Sequence, residues 1–590
     1  SCSQLFMDPV SATLTPLKNG SNGWVAGSQV SYSGNTATVN FSDGTTKLQL
    51  RNNLASAMRV GVSGSIPSTK PLSETLCRAG SGALSAAACT LSFADSGFLF
   101  NVLDTLANKP QQVVMTAVRK DNTSQLCVPS FQKQTKRITF WSDYNVPATN
   151  LFGSQIRIDK TAIATTAGAP TAMDLYFNEL GETTLKDVSY PDAGQMRLNA
   201  RHDGSGDTAG LVMTGSDLFV SRPVGLCITP TQGACAAGDA SCPVFKKTGE
   251  AFQLNIKGVA WQADDDKDLC SGNLATPNFA LANIALGSEL VAPKPGEEAV
   301  VGTASYDHSN AKGNNNLNTL SQSVNEVGVF RMTATPPVAT PPEGSTVSTG
   351  YFGYTIPPAS SVPVGRFVPW DYSLSNGFIT PACNAFTYMS QPFASGFVLT
   401  ARNLQKGTTQ NYQGAFAKGV AEMVAANALD GVARDKRITL SPSLSWASGV
   451  ASINQQSPLG LNTRFDRAAS PEAPFATLSF GIKVDDQDGG TTLLANPNMN
   501  AGVAGDCSKS GQGCNAVLLG TQKLLYGRLQ AGTAAGLASA PLAIPLQMQY
   551  YEAGNWLKNK EDQCTQLSLA NQGFIFLNPS HTFDAATREL

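Results

Sequence analysis

One acidic run is similar in sequence to a metal-binding loop. Ca²⁺ prefers carboxylate oxygens spaced along a loop, and the run DDDKD supplies them at alternate positions, Asp264, Asp266 and Asp268. An EF-hand loop would also need a glycine and a terminal glutamate, but Leu269 and Ala275 stand at those positions. This run therefore predicts either a calcium site or a solvated turn.

A second acidic run, VDDQDGG, offers the carboxylates of Asp485, Asp486 and Asp488. Their oxygens could also bind calcium. An Asp-Gly step is, however, a frequent signal of a hairpin turn. Both readings stay open here, as they do for the first run.

Catalytic patterns are scarce in the rest of the chain. The three histidines are His202, His308 and His581, and each stands in a polar, turn-like context that predicts an exposed loop. No G-x-S-x-G elbow, H-E-x-x-H pair or Walker A loop occurs. Tryptophans such as Trp446 are predicted to be core or interface residues. We therefore expect a protein that is not an enzyme.

The cysteines predict an oxidising compartment. The chain has 12, none in paired C-x-x-C knuckles, so zinc is not expected. Disulfides are predicted instead, with the pairing left open, among Cys77, Cys89, Cys227, Cys235, Cys242, Cys270, Cys383, Cys507, Cys514 and Cys564. By chain entropy, a Cys507–Cys514 bridge would be worth about 2.5 kcal/mol and a Cys383–Cys564 bridge about 5 kcal/mol.

Composition narrows the class of protein further. A chain of 590 residues predicts about three or four domains. Charged residues are only 14% and the net charge is −2, so no basic field would attract nucleic acid. No apolar run reaches the length of a membrane span. Ser1 indicates a processed or trimmed first residue, and lipidation is not expected at Cys2.

The elements that must position these residues are strands. Alternating runs such as QQVVMTAVRK and GLVMTGSDLFVSRP are separated by turns rich in Gly, Asp and Asn. This pattern predicts an all-β, multidomain chain of disulfide-stabilised β-sandwich or Ig-like domains with at most short helices. The one predicted helix is 415–436, where apolar residues recur at roughly helical spacing.

Four domains are predicted. They are an N-terminal β domain (1–135), a β-sandwich-like domain (136–220), a central β-sandwich with a cysteine cluster (221–345) and a C-terminal β domain with a short helical insertion (346–590). The last boundary follows the segment 334–346, ATPPVATPPEGST, in which paired prolines cannot continue a central strand.

The polar, aromatic segment 399–416, LTARNLQKGTTQNYQGAF, could be scaffold or a ligand contact. Leu399 and Ala401 fit the inward face of a strand, with Thr400 and Arg402 outward. Lys406 and Gly407 predict a turn, and residues 408–412 predict a second strand. Scaffold is the preferred interpretation.

Strings along most of the chain carry a family resemblance. They include SCSQLF (1–6), AVRKDNTSQLCVPSF (117–131), VSYPDAGQMRLNAR (188–201), GSDLFVSRPVG (215–225), NEVGVFRM (325–332), VGRFVPWDYSL (364–374), PACNAFTYMSQPF (381–393), the segment 399–416 and PLAIPLQMQYYEAGNW (541–556). In this order they resemble the MshQ type of mannose-sensitive haemagglutinin pilus biogenesis protein.

The resemblance implies a secreted protein, its signal peptide removed, on the cell surface or at the tip of a type IV pilus. It implies a non-enzymatic adhesin seated on minor pilins, with an unidentified surface, host or glycan ligand and no cofactor besides possible calcium. The alternative is a pilus-independent, glycan-binding surface lectin. Many relatives carry a lectin module that is not evident here, and relatives continue beyond this chain, so a divergent or shortened C-terminal domain is expected.

Overall fold

The structure of the chain is a computed structural model. It describes residues 9–566 except 21, 43–44, 53, 55, 69–73, 79–83, 93–94, 122–126, 205–208, 210, 340–349, 428–429, 441–443, 457–461, 505–506, 508–512 and 538. Cys2, His581 and most of the proline-rich segment therefore lie outside the described residues. No helix in the described part is long and apolar enough to cross a membrane.

The first region contains a small sheet with strand order β3-β4-β1-β7. Ala12, Leu14, Ala37 and Val39 form its buried face, because they alternate with more exposed residues along paired strands. The strands described here are β1 (Val10–Thr15), β2 (Gly23–Trp24), β3 (Val30–Ser33), β4 (Thr36–Phe41), β5 (Leu50–Arg51), β6 (Ala57–Arg59), β7 (Gly61–Ile66) and β8 (Thr90–Ser92).

The next region is built on one large sheet, whose main path is β12-β11-β9-β19-β18-β13-β16. In β11, Val113, Met115 and Ala117 are buried and alternate with exposed neighbours. The strands are β9 (Ser96–Phe100), β10 (Thr105–Leu106), β11 (Gln111–Lys120), β12 (Cys127–Pro129), β13 (Gln134–Val146), β14 (Arg157–Ile158), β15 (Thr161–Ala162), β16 (Thr171–Phe177), β17 (Glu182–Val188), β18 (Gly194–Asp203) and β19 (Val212–Arg222).

The central region has two sheets, β20-β22-β25 and β21-β27-β26-β23-β24, around a core that includes Leu226, Ile256, Phe330 and Phe367. Its strands are β20 (Gly225–Pro230), β21 (Lys246–Lys247), β22 (Phe252–Val259), β23 (Leu281–Ala292), β24 (Ser305–His308), β25 (Asn318–Gln322), β26 (Gly328–Thr335) and β27 (Ala359–Val368).

The following region is also a sandwich, with sheets β33-β30-β28-β36 and β29-β37-β35-β31. Phe393, Phe397 and Phe480 lie in its core. The strands are β28 (Asp371–Thr380), β29 (Thr387–Tyr388), β30 (Ala394–Arg402), β31 (Gly419–Asn427), β32 (Ile438–Thr439), β33 (Val450–Gln455), β34 (Arg464–Phe465), β35 (Phe475–Asp486), β36 (Leu493–Leu494) and β37 (Ala516–Leu525). A last small sheet contains β38 (Gly527–Ala531), β39 (Leu546–Glu552) and β40 (Asn555–Lys558).

The predicted all-β class is confirmed. The helical segments described are single 3₁₀ turns at Ala87–Cys89, Gly414–Phe416 and Asp435–Arg437. The helix predicted at 415–436 is wrong, because β31 (Gly419–Asn427) occupies its centre. Residues 423–426 are all buried, with alternate side chains on opposite faces of the strand. A strand covered on both faces has no polar alternation and can therefore mimic a helical pattern.

Sheet pairing places two domain boundaries differently from the predicted ones. The boundary at 135/136 falls inside β13, which pairs with both β16 and β18 in the large sheet. The boundary at 345/346 separates β26 from β27, although the two strands pair in one sheet. Pairing between distant segments, which no local pattern encodes, determines these limits.

Buried polar contacts join successive regions. Asp192 is fully buried and accepts hydrogen bonds from the backbone and side-chain nitrogens of Asn278, at 2.9 and 2.8 Å. Further along, the Arg366 guanidinium donates to both carboxylate oxygens of Asp488, at 2.7 and 2.6 Å. Because buried polar groups are costly unless they are paired, each junction favours one relative placement of its two regions.

Two histidines are buried, so their predicted exposure is wrong. His202 and His308 are 4% and 2% exposed. The His308 ring lies between Tyr306 Oη, 2.9 Å from Nδ1, and Asn316 Oδ1, 2.5 Å from Nε2. Both ring nitrogens of a neutral imidazole are satisfied when Nε2 donates and Nδ1 accepts.

Acidification should destabilise the central region through His308. Burial lowers the pKa of His308 to about 4, whereas in the unfolded chain it titrates near its usual value of about 6.5. The contribution of neutral His308 to the free energy of unfolding is therefore complete above about pH 6.5. It is lost as the pH falls towards about 4, and the loss is about 3 kcal/mol. Urea unfolding at about pH 7 and about pH 4 measures the change in the free energy of unfolding, and His308→Asn should reduce that change by about 3 kcal/mol. An equal pH difference in both proteins would contradict this.

Candidate functional site

The first acidic run lies in a turn that makes local contacts. Asp264 accepts hydrogen bonds from Lys109 Nζ at 2.6 Å and Trp261 Nε1 at 3.0 Å. The Lys109 ammonium thereby lowers the pKa of the Asp264 carboxyl. Asp266 accepts from the Asp268 backbone nitrogen at 3.1 Å. The run thus links the large sheet to the central region, and calcium binding here stays a prediction.

The carboxylates of the second acidic run have different roles: one takes part in the junction with the central region, and the others make local contacts in a turn. Asp488 is held by Arg366, while Asp486 accepts hydrogen bonds from the backbone nitrogens of Asp488 and Thr492 at 3.2 and 2.7 Å. Asp485 accepts from the Gln487 side chain at 2.9 Å. Each carboxylate therefore has its own partner, and a calcium site at this run also stays a prediction.

One cluster of ligand-type side chains occurs within the described residues, at Cys383, Asp562 and Cys564. Its two sulfurs are joined in a disulfide, so they are not free thiolates that could bind a metal. Within the described residues, the structure pairs Cys77–Cys89, Cys227–Cys270, Cys235–Cys242, Cys383–Cys564 and Cys507–Cys514. Five disulfides are typical of a protein exported to an oxidising compartment.

Segment 399–416 begins as the scaffold strand that the sequence predicted. Leu399 and Ala401 are fully buried in β30, whereas Thr400 and Arg402 are partly exposed. The turn after β30 also exists, since the Gly407 nitrogen donates to Asn403 Oδ1 at 2.9 Å. The strand and turn interpretation is confirmed for this half of the segment.

The second half of the segment is not the strand that was predicted. Residues 408–412 make one isolated bridge, from Thr408 back to Arg402. Asn411 instead reaches the central region, where its side-chain nitrogen donates to the carbonyls of Glu297 and Val327 at 2.8 and 3.0 Å. These side-chain contacts replace a sheet ladder, so the segment fastens one sandwich to the next.

Gly414 should tolerate alanine poorly. Its φ is +53°, a region that costs other L-residues about 1–2 kcal/mol, while a Cβ would meet no atom within 4 Å. Gly414→Ala should therefore lower the free energy of unfolding by about that amount. Gly27→Ala is the matched control, since it also has open space and lacks a positive φ. Chemical denaturation compares them, and equal stability would contradict the backbone explanation.

An open groove of about 710 Å³ runs beside this segment. One wall is β31, including Ala421 and Met423, and the opposite wall carries Ile438, Leu440, Leu444 and Trp446. The indole nitrogen of Trp446 donates to the Gly419 carbonyl at 2.7 Å and holds the ring at the groove. The sequence did not predict this site, because 415–436 was predicted as a helix and Trp446 as a core or interface residue. No local signal in the sequence marks the edge of a sheet.

Four successive family domains match the chain. Residues 74–216 match DUF6701, a domain of unknown function whose description is the first Ig-like domain. Residues 222–318 match the second domain of DUF6701, 326–514 the third and 525–582 the fourth. Residues 1–68 match another domain of unknown function, DUF8613. A comparison with curated proteins finds no match.

Several solved structures match the chain at low sequence identity. A structure of three titin Ig domains is 9% identical with a TM-score of 0.25, covering 67% of this chain and 95% of its own. The adhesin InvE of Yersinia pseudotuberculosis is 13% identical with a TM-score of 0.20, covering 45% and 58%. A tetra-tandem repeat from the extending region of a large adhesion protein is 8% identical with a TM-score of 0.24, covering 79% and 90%. None superposes on the chain as a whole.

Proposed function

Because this chain belongs to the DUF6701 family of multi-domain proteins, we propose that it is an extracellular, non-enzymatic component of a type IV pilus. It is an adhesin at the pilus tip, seated on minor pilins. The observation that carries the proposal is the set of sequence strings that resemble the MshQ type, and the succession of four family domains over residues 74–582 is consistent with it. The strings that resemble the MshQ type lie mostly in those domains.

The covalent and polar framework supports a role outside the cell. The five disulfides among the described residues cross-link the domains, and disulfides persist in oxidising compartments. The junctions at Asp192 and Arg366 are buried and hydrogen-bonded. A chain of this kind resists local unfolding between its domains, which suits a part exposed to shear and proteases.

Fractionation of native cells tests this proposal. We expect the protein in the surface and sheared-filament fractions, and we expect its loss from the filament fraction when the major pilin is deleted. A soluble periplasmic marker and a cytosolic marker serve as controls for lysis. Recovery of the native protein with the cytosolic marker would refute the proposal.

A small pocket favours a second candidate, a glycan-binding surface lectin. It is lined by Lys18, Trp24, Tyr32 and Arg51, and Lys18 Nζ lies 4.9 Å from the centre of the Tyr32 ring. Aromatic faces beside cationic side chains suit an acidic sugar, which offers a carboxylate and a ring to stack. A glycan array tests it: acidic glycans should bind and lose binding in Arg51→Gln, and an array without hits would remove this candidate.

A further inference from the structure

The groove runs along the outer edge of a sheet, which is unpaired in the described residues except for a bridge between Ala426 and Ala433 near its end. β31 is the last strand in the order β29-β37-β35-β31, and its ladder is with β35, from Gly419 opposite Asp486 to Asn427 opposite Leu478. An unpaired edge presents a row of N–H and C=O groups that can template a further strand. Which groups face the groove follows from the register.

Four hydrogen bonds fix the direction of the β31 backbone groups. The Gln487 nitrogen on the β35 side donates to the Lys418 carbonyl at 3.2 Å, so even-numbered residues pair towards β35. The backbone N–H and C=O of Gly419 point away from β35. The nitrogen donates to Tyr412 Oη and the carbonyl accepts from Trp446 Nε1, both at 2.7 Å. The Ala425 carbonyl also points away, accepting from the Arg434 nitrogen at 2.9 Å. Since the pattern alternates in antiparallel ladders, odd-numbered residues face the groove.

Ala421 and Met423 are therefore the open part of this edge. Their N–H and C=O groups point into the groove, and in the described part of the chain they have no hydrogen-bond partner. Met423 is only 5% exposed, and buried backbone groups are normally paired. Gly419 and Ala425 already have partners on this side, so the open edge has a defined length that suits a short strand.

The side chains around the open edge specify the strand that would fit. On one face, the groove offers the apolar wall of Leu440, Leu444 and Trp446. On the other face, Val420 is 48% exposed beside Glu422. The lining carries two carboxylates, Glu422 and Asp435, and one ammonium, Lys436, and none of the three makes an ion pair within the described residues. The excess negative charge favours a basic side chain on the added strand.

We propose that the groove binds an extended segment of a protein partner as an additional strand on β31. The main chain of that segment pairs with Ala421 and Met423, its apolar side chains at alternate positions pack against Trp446, and a lysine or arginine lies opposite Glu422. The inference rests on the proposed function only for the identity of the partner. That partner is the filament subunit to which the adhesin is attached.

A synthetic peptide tests strand addition directly. The probe is a fluorescein-labelled nine-residue peptide of alternating threonine and valine with lysine at its centre, and fluorescence anisotropy measures its binding to the full chain. Two methylated probes carry N-methyl groups on either the valine or the threonine amides. In an added strand only one set of amides faces β31, so one methylated probe should bind at least tenfold more weakly than the other. No binding, or equal binding of both methylated probes, would overturn the proposal.

A charge reversal tests the register of the added strand. Glu422→Lys should weaken binding of the lysine probe about two- to fivefold, as expected for one cross-strand pair. Glu289→Lys, an exposed strand glutamate of the central region, should leave binding unchanged. Equal effects of both variants would overturn the proposed register.

Other outcomes separate this inference from the proposed function. One outcome of light scattering is that the full chain is a dimer and that the probe dissociates it. In that case a second copy of this chain occupies the groove, and the proposal that a different protein supplies the strand is overturned. Probe binding needs no filament. A chain that binds the probe but is absent from filaments therefore refutes the proposed function while supporting the groove as a strand-binding site.

Discussion

Replacing Cys383 and Cys564 together by serine should lower the free energy of unfolding by about 5 kcal/mol. The bridge joins residues 181 apart in sequence, and the entropy that a disulfide removes from the unfolded chain grows with the length of the loop. It also fastens the small last sheet, whose Met548 and Tyr550 pack in one cluster with Cys383. Guanidinium denaturation, followed by near-UV circular dichroism, measures the loss.

The Cys507–Cys514 bridge provides the matched control. It closes a separation of only 7 residues, so its double serine variant should lose about 2.5 kcal/mol. Limited proteolysis adds a second readout, because only the Cys383/Cys564 variant should release fragments from the last sheet. Equal losses of stability in the two variants would contradict the role given to the long bridge.

Replacing Arg366 by methionine should cost about 3–5 kcal/mol, because it leaves the Asp488 carboxylate buried without its partner. The two side chains are 5% and 10% exposed, and Arg366 Nε also donates to the Cys242 carbonyl at 2.9 Å. Asp488 follows β35 of one sandwich and Arg366 lies in β27 of the other, so the junction between them should loosen. The free energy of unfolding and hydrogen exchange across both sides of the junction measure the effect.

An exposed ion pair is the control for this substitution. Lys133 and Glu179 lie 2.6 Å apart but are 65% and 75% exposed, so Lys133→Met should cost less than about 1 kcal/mol. The double variant Arg366→Met with Asp488→Leu should regain most of the lost stability, since no buried charge remains. A loss in Arg366→Met no larger than that in Lys133→Met would contradict a buried ion pair at the junction.

The sequence predicted the class of fold because its signals are local. Period-two burial in β11 and β30 follows directly from alternating residue types. Turn residues such as Asn403 and Gly407 also act locally, since the Asn403 side chain closes the turn itself. Features that depend on neighbours in the sequence were therefore predictable.

Features that depend on distant partners could not be predicted. His308 has a polar local context, yet Tyr306, Asn316 and Asn318 enclose it in the core. Asn411 looks like a turn residue but reaches Glu297, 114 positions away. Similarly, β31 has an open edge because no further described strand of the sheet pairs with it there. The residues of β31 themselves do not encode whether another strand lies beside them.

Immunogold labelling of filaments sheared from native cells tests the central claim most directly. We expect label at filament ends, with little along the shaft, and loss of that label from filaments of cells that lack this protein. Unlabelled filaments from cells that produce the protein, together with label confined to the cytosol, would contradict it.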